Sequence, residues 1–435
     1  MYQKVDPLSA KKRTVFVMTV ASVMLAVVIC EPVGFLPGKD LHRNTVTKIS
    51  AKISTSNHFV VATCNRSDDP NFCVSTIEGL IPEWRRHEDP LDVLKLAVQR
   101  IIGFVDEKIA EALRLSATPG LEQIALNDCV DLLRFTVDEL DQVLSYLQNA
   151  DFNNPSLSLE ASYAQMFLSA ALTNQDTCIE GFANTKGSSL KSHMQITVKA
   201  ISDLLTPCLA ICKSISDLAK DHDRVSPAPA PGPATTSRRV LIPGGDNDFN
   251  FLPWLSRSER RVLKPSGSEV EVDAVVDQNG TGDFTRISDA VGAAPNNSNT
   301  RYVIYVKAGV YREYVEIPTK KIYLTLIGDG INCTIVTGNR SVVDNSTTFH
   351  SATFTVKGRG FIARDITFEN SAGPEKHQAV ALLVASHQSV FYRCSIKGYQ
   401  DTLYAHSLCQ FYRECQIYGT VDFIFGDAAA VFQKC

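Results

Sequence analysis

No long run of like charge occurs in this chain: 43 Lys and Arg against 47 Asp and Glu leave a net charge of −4 over 435 residues. That balance speaks against a nucleic-acid partner, which needs a concentrated basic surface. Beyond about residue 268 there are no helical stretches of useful length, which disfavours a βαβ sheet for that half. Tryptophan is scarce, and both copies, Trp84 and Trp254, precede that region. With 44% hydrophobic residues and a mean hydropathy near zero, the chain is globular, and its length allows two or three domains.

Lys11-Lys12-Arg13 precedes an apolar run from Val15 to Cys30, closed by Glu31-Pro32. A basic cluster followed by sixteen apolar residues fits a secretory signal peptide or a short signal anchor. No clean small-x-small cleavage site separates the two. Twelve cysteines and six Asn-x-Ser/Thr sequons, beginning at Asn65, Asn279, Asn296, Asn332, Asn339 and Asn345, agree with the secretory route.

Four segments follow: 1–44, a basic stub with the signal or anchor; 45–222, helical; 223–267, a linker; 268–435, built of short β runs. Leu94, Val98, Ile101, Val105, Ile109 and Leu113 recur at helical spacing, as do Leu133, Val137, Leu140, Leu144 and Leu147, so the second segment is expected to be a four-helix bundle. Cys64 and Cys73 could staple a hairpin, and Cys129 and Cys178 could pair across the bundle. The linker holds Pro227-Ala-Pro-Ala-Pro-Gly-Pro233 and two basic doublets, Arg238-Arg239 and Arg260-Arg261, which suit a processing protease. In the last segment Val303–Val306, Tyr323–Ile327, Ala352–Val356 and Phe361–Phe368 read as strands separated by Gly, Asn and Asp turns.

A repeat organises the last segment. Cys394-x-Ile396-x-Gly398-x-x-Asp401 returns as Cys415-x-Ile417-x-Gly419-x-x-Asp422, and Phe-Tyr-Arg precedes each copy. A period of 21 residues between Cys394 and Cys415 predicts a parallel β-helix, whose successive coils lie about 4.8 Å apart. Asp401 and Asp422 then face the same way one coil apart, and repulsion raises the pKa of one. One can serve as nucleophile or base and the other as proton donor. Gln378 and Gln400, again about one coil apart, could donate amide hydrogen bonds to an oxyanion. The same residues also fit a plainer reading, as turn-forming aspartates and a glutamine ladder.

Gly309-Val-Tyr311-Arg-Glu313, Gln378-Ala-Val-Ala-Leu382, Gln400-Asp-Thr-Leu403 and Asp422-Phe-Ile-Phe-Gly426 resemble four of the five signature segments of plant pectin methylesterases. The helical segment, with Thr177-Cys178-Ile-Glu-Gly-Phe182, resembles the pectin methylesterase inhibitor domain, the pro-region of the long form of these enzymes. The resemblance implies a right-handed parallel β-helix behind an all-α bundle, secretion to the cell wall, and no metal or organic cofactor. By the same resemblance Asp422 attacks a galacturonate methyl ester of pectin, Asp401 is acid and then base, and Gln378 and Gln400 hold the oxyanion. Thr348, Gln378, Tyr404 and Phe425 match positions that contact the sugar chain. Cys394 and Cys415 match a bridging pair, and adjacent coils bring their α-carbons within disulfide range. The basic doublets become the site where pro-region and enzyme separate, and inhibitor and esterase segments are expected to touch, within or between chains.

Three departures stand out. The fifth signature, Leu-Gly-Arg-Pro-Trp, is missing, so its arginine, which pairs with the nucleophile in the family, is not found before Cys435. Val431–Cys435 aligns with Phe411–Cys415, which leads to the expectation of a truncated product with an incomplete β-helix. Leu383 stands where the family usually has arginine. The alternative function is therefore an inactive product that inhibits or binds an esterase through its bundle. A pectin-cleaving glycosidase and an aspartic protease both use paired acids, but neither aspartate here has the matching context.

Overall fold

The computed structural model describes residues 56–225 and 270–435, except 88, 149, 153–155 and 186–188, together with residues 260 and 263. The expected signal or anchor, the proline stretch and three of the four paired arginines (Arg238, Arg239 and Arg261) lie outside the described residues. Of the paired arginines only Arg260 is described.

Among the described residues six α-helices precede the β region: α1 (Ser56–Cys64), α2 (Pro70–Leu80), α3 (Pro90–Ala112), α4 (Leu121–Leu147), α5 (Leu157–Gly181) and α6 (Ser189–Val225). Asp69 and Asp89 cap α2 and α3 by accepting from Phe72 N–H and Leu91 N–H, each with proline in the first turn. The four long helices form a bundle in which α3 packs on α4, α4 on α5, α5 on α6, and α6 back on α3. The apolar stripes of α3 and α4 face its core, where Leu94, Val98, Ile101, Val105, Leu133, Leu140 and Leu147 are buried. Leu113 departs from the expectation: α3 ends at Ala112, and the leucine beyond it is 60% exposed. By length and composition α6 could cross a membrane, but Met194, Ile201, Leu205 and Ile211 are buried in the bundle.

Disulfides join Cys64 to Cys73 and Cys129 to Cys178. The second ties α4 to α5 across 49 residues, and closing a loop of that size stabilises the fold by about 4 kcal/mol in the chain-entropy account. A Cys129→Ala, Cys178→Ala double variant is accordingly expected to show a lower unfolding midpoint for the bundle by circular dichroism, while the β signal persists.

The C-terminal part is a parallel β-helix. Among the described residues its strands form three sheets, of seven, five and five strands, and every pairing there is parallel. The predicted strands at 303–306, 323–327 and 352–356 are found, displaced by at most two residues. The run Phe361–Phe368 instead makes two strands, Ile362–Arg364 and Thr367–Asn370, because Asp365 between them adopts φ +60°. A short helix, α7 (Ile287–Ala293), packs against the first strands. The 21-residue register appears as Ser395 opposite Gln416 and Ile396 opposite Ile417. The repeat's glycines are explained by space: a Cβ on Gly398 would stand 2.9 Å from Thr402 Oγ1, and one on Gly419 2.4 Å from Phe423 Cβ. Inside the coil, Phe391, Tyr412 and Phe432 stack at centroid separations of 5.0 and 4.8 Å.

The expected Cys394–Cys415 bridge is corrected by the structure. Both are buried thiols, in register on adjacent coils, with Cys435 free on the coil after them. The Cys415 sulfur lies within hydrogen-bond reach of those of Cys394 and Cys435, and the sulfurs also contact backbone carbonyls, Cys394 that of Tyr392 and Cys415 those of Phe391 and Arg413. Register in the β-helix brings these thiols together, but here three of them, one per coil, stand in a row as free thiols rather than as one bonded pair. Alkylation of the unfolded, unreduced protein is expected to label peptides carrying Cys394 and Cys415. Recovery of the two as one linked peptide would contradict the structure.

Candidate active site

The five-stranded sheet that carries the two aspartates consists of Val315–Ile317, Phe354–Val356, Leu382–Ala385, Leu403–Ser407 and Ile424–Phe425. Leu403 pairs with Ile424 and Tyr404 with Phe425, so Asp401 and Asp422, each two residues earlier, occupy equivalent places on successive coils. Asp401 N–H donates to Val421 O at 3.1 Å. Both aspartates have left-handed backbones, φ +61° and +48°, a conformation that Asp tolerates better than most residues and that costs on the order of 1–3 kcal/mol. The turn therefore repeats along with the carboxylate.

The two differ in environment. Asp401 is buried, whereas Asp422 is exposed. Burial, then the charge of Asp422, then that of Glu180 on α5 raise the Asp401 carboxyl to about 7. A carboxyl near 7 holds its proton through the mildly acidic range and can donate it. Gln378 and Gln400 are partly buried beside the pair, and Ala379 N–H donates to Gln400 O at 3.2 Å, joining their two turns. Tyr404 and Phe425 stack at 4.1 Å and form an aromatic floor next to the carboxylates. Thr348 lies farther along the same face, ahead of a short 3₁₀ turn at Phe349–Ser351.

The helical bundle covers this face. Thr177 Oγ1 on α5 lies 3.3 Å from Tyr404 Oη and 3.0 Å from His406 Nε2. Thr173 Oγ1 donates to Asp427 Oδ2 at 3.3 Å. On α4, Asp128 accepts from Thr347 Oγ1 and stands 3.7 Å from His350 Nδ1, while Lys357 Nζ lies 4.5 Å from the centre of the Phe135 ring. Phe349, Ala352, Val380, Leu383, Tyr404 and Leu408 are buried in one continuous core with the bundle. Leu383, where the resemblance leads one to expect arginine, is thus an apolar contact of that seam.

Sequence reasoning brought Asp401, Asp422, Gln378, Gln400, Tyr404 and Phe425 together, and the structure places them on one face. It missed Thr177, Glu180 and His406. The first two lie in a motif read only for its wording, and His406 is fully buried, with burial pushing its pKa down to about 3. The alternation of strand residues in Leu403–Ser407 was the available signal for it.

Carboxyls also gather where α5 meets the site. Burial first and then neighbouring carboxylates raise Asp176, through Asp427, and Glu180, through Asp176 and Asp427. Burial raises Asp128 to about 7 against the hydrogen bond from Thr347.

Residues 273–435 match the pectinesterase family profile, and residues 58–211 match that of the plant invertase/pectin methylesterase inhibitor. The chain is 50% identical over 311 residues to the pectinesterase/pectinesterase inhibitor PPE8B of Prunus persica, covering 72% of this chain and 54% of that protein. To the pectinesterase/pectinesterase inhibitor U1 of Solanum lycopersicum it is 37% identical over 433 residues, covering 98% and 72%. The solved pectin methylesterase from carrot is 57% identical and covers 38% of this chain and 52% of that one, with a TM-score of 0.38. The chain spans a little over half the length of the first curated relatives it matches, 54% to 62%. It belongs to the pectinesterase/pectinesterase inhibitor family.

Proposed function

We propose that the β-helix is a carboxylic ester hydrolase that removes methyl esters from the galacturonate units of pectin, and that the helical bundle holds it closed. The observation that carries the first part is the in-register pair of one buried, proton-holding carboxyl and one exposed carboxylate, on an aromatic floor. Asp422 attacks the ester carbonyl, and the negative charge that develops on the carbonyl oxygen is met by the amides of Gln378 and Gln400. Asp401 gives its proton to the departing methoxide, so methanol leaves and an acyl-enzyme remains on Asp422. Asp401, now ionised, takes a proton from water, whose oxygen attacks the galacturonate carbonyl of the anhydride; the acyl–Asp422 bond breaks, the galacturonate carboxyl leaves, and Asp422 is again a carboxylate and Asp401 again protonated.

The second part rests on Thr177 and Glu180, which occupy the space above Tyr404 and Asp401 that a sugar chain would need. Cleavage at the paired arginines by a protease of the secretory path would make separation irreversible. Family membership supports a place in the cell wall, and the exposure of all six sequon asparagines is compatible with glycosylation on a secretory route. A second reading, in which the bundle inhibits a separate esterase, draws on the same surface of α4 and α5.

The test is methanol release from methyl-esterified homogalacturonan after cleavage at the arginine doublets. Methanol and new carboxylates are expected in equal amounts. Cleaved, separated protein that releases none would overturn the proposal.

Closure also depends on pH. Asp128 on α4 has an ordinary value near 3.8 and is raised to about 7 by burial where it meets Thr347 of the β-helix, so closing takes up a proton. Its contribution is fully present below about pH 4 and is lost as pH rises through about 7. The groups facing it are Thr347, His350, Lys357 and Asp131, and the acids Glu180, Asp176 and Asp427 meet farther along the seam. His350 is itself lowered, first by burial and then by Arg340, and so does not replace the lost proton. Proteolytic release of the bundle is expected to rise about tenfold or more between pH 5 and pH 7.5. A flat profile would contradict the assignment.

A further inference from the structure

A cavity lies in the seam between bundle and β-helix. Its volume is about 410 Å³, within the roughly 300–1,000 Å³ usual for small-molecule sites. Its lining residues His387 and Leu408 follow the strands Leu382–Ala385 and Leu403–Ser407. That puts it at the edge of the sheet opposite Asp401 and Asp422, which precede their strands, so it is separate from the carboxylate pair.

Its two walls differ in charge. The β-helix wall carries the basic Lys320, Lys357 and Arg359 with His387; the α4 wall carries Phe135 and the acidic Asp138, Glu139 and Asp141, and α5 adds Phe167. Lys357 is paired with Glu316 at 2.9 Å, whereas Arg359 rests on the Tyr323 ring at 5.6 Å and makes no ion pair among the described residues. His387 is 2% exposed, and neither ring nitrogen has a hydrogen-bond partner. An imidazole buried without a partner at either nitrogen is costly. Here it stands against Phe167 and Tyr163 at 5.2 and 5.6 Å and borders the open volume. A guanidinium with no carboxylate of its own, an unsatisfied imidazole, a buried acid and two phenyl rings around a cavity of this size match one kind of ligand. That ligand has a carboxylate, several hydroxyls and an apolar ring face.

We propose that this cavity is a binding site for a uronic acid of one or two rings, with the carboxylate on Arg359, ring hydroxyls on His387 and Glu139, and a sugar face on Phe135 or Phe167. Because both domains contribute, the ligand binds the closed molecule and favours it. The site stands independently of the esterase reading, although free uronates are what that activity would generate on the polymer.

The experiment is calorimetric titration of the full chain at pH 5 with digalacturonate and with its dimethyl ester. One site is expected, at least tenfold weaker for the ester. Arg359→Ala and His387→Gln are each expected to weaken digalacturonate binding tenfold or more, and Asp401→Asn to leave it unchanged. Circular dichroism melting separates loss of the site from loss of fold, and digalacturonate should raise the unfolding midpoint of the wild type but not of Arg359→Ala. Absence of binding overturns the proposal. So does binding that survives both cavity variants, or that is lost in Asp401→Asn, since either outcome places the ligand at the carboxylate pair or elsewhere. Methanol release is not part of the readout, so failure of the esterase assignment leaves this result interpretable.

Discussion

A Leu383→Asp substitution is expected to lift the helical bundle off the β-helix while both remain folded. Leu383 is fully buried within the seam, in the same core as Phe349, Val380, Tyr404 and Leu408. The change removes about 2 kcal/mol of apolar burial and places an unpaired carboxylate where it has no water, at a further cost of several kcal/mol. In the open molecule the same position lies on a solvated sheet face, so the penalty disappears on separation. Amide exchange should rise at least tenfold across 403–407 and 173–181, with the interior strands unchanged. Leu383→Met, which keeps volume and polarity, should leave exchange as it was. Unchanged exchange in Leu383→Asp would mean that the seam is not what holds the two parts together.

Asp422→Asn is expected to abolish methanol release by the separated β-helix, with a fall of about a thousandfold or more. The amide keeps the shape of the side chain and removes the nucleophilic oxygen anion. It also removes the charge that, after burial, helps to raise Asp401. Asp401→Asn removes the proton donor but keeps the nucleophile, and a smaller fall of about 10²–10⁴ is expected, steepest where methanol departure limits the rate. If Asp422→Asn retained most of the activity, the roles assigned to the pair would be wrong. Neither substitution should unfold the chain, since the strands Leu403–Ser407 and Ile424–Phe425 follow the substituted turns.

Much of the fold was readable because it is periodic. The 21-residue repeat fixed the coil register, and the structure pairs Leu403 with Ile424 as that spacing requires. The stripes on α3 and α4 marked the faces that became the bundle core. Periodicity failed where the chain bends or ends: Asp365 divides one predicted strand, and Leu113 lies past the end of its helix. The cysteines showed a different limit, since register brings Cys394 and Cys415 together but does not decide whether they bond, and Cys415 lies against both Cys394 and Cys435 as a thiol. The paired aspartates and glutamines could be read because each lies at a fixed place in a coil. The covering of that face by Thr177 and Glu180 could not, because contacts between two domains follow neither domain's repeat. Leu383 shows the same thing: as a departure from the family's arginine it had no reading, and in the structure it is an apolar contact of the seam.

The most direct test compares methanol release from methyl-esterified homogalacturonan by the intact chain at pH 5 and by the same protein after cleavage at the paired arginines and transfer to pH 7.5. The account predicts little release before and at least tenfold more after, abolished by Asp422→Asn. Equal rates before and after would show that the bundle does not close the site, and no release in either state would contradict the assignment of the carboxylate pair to ester hydrolysis.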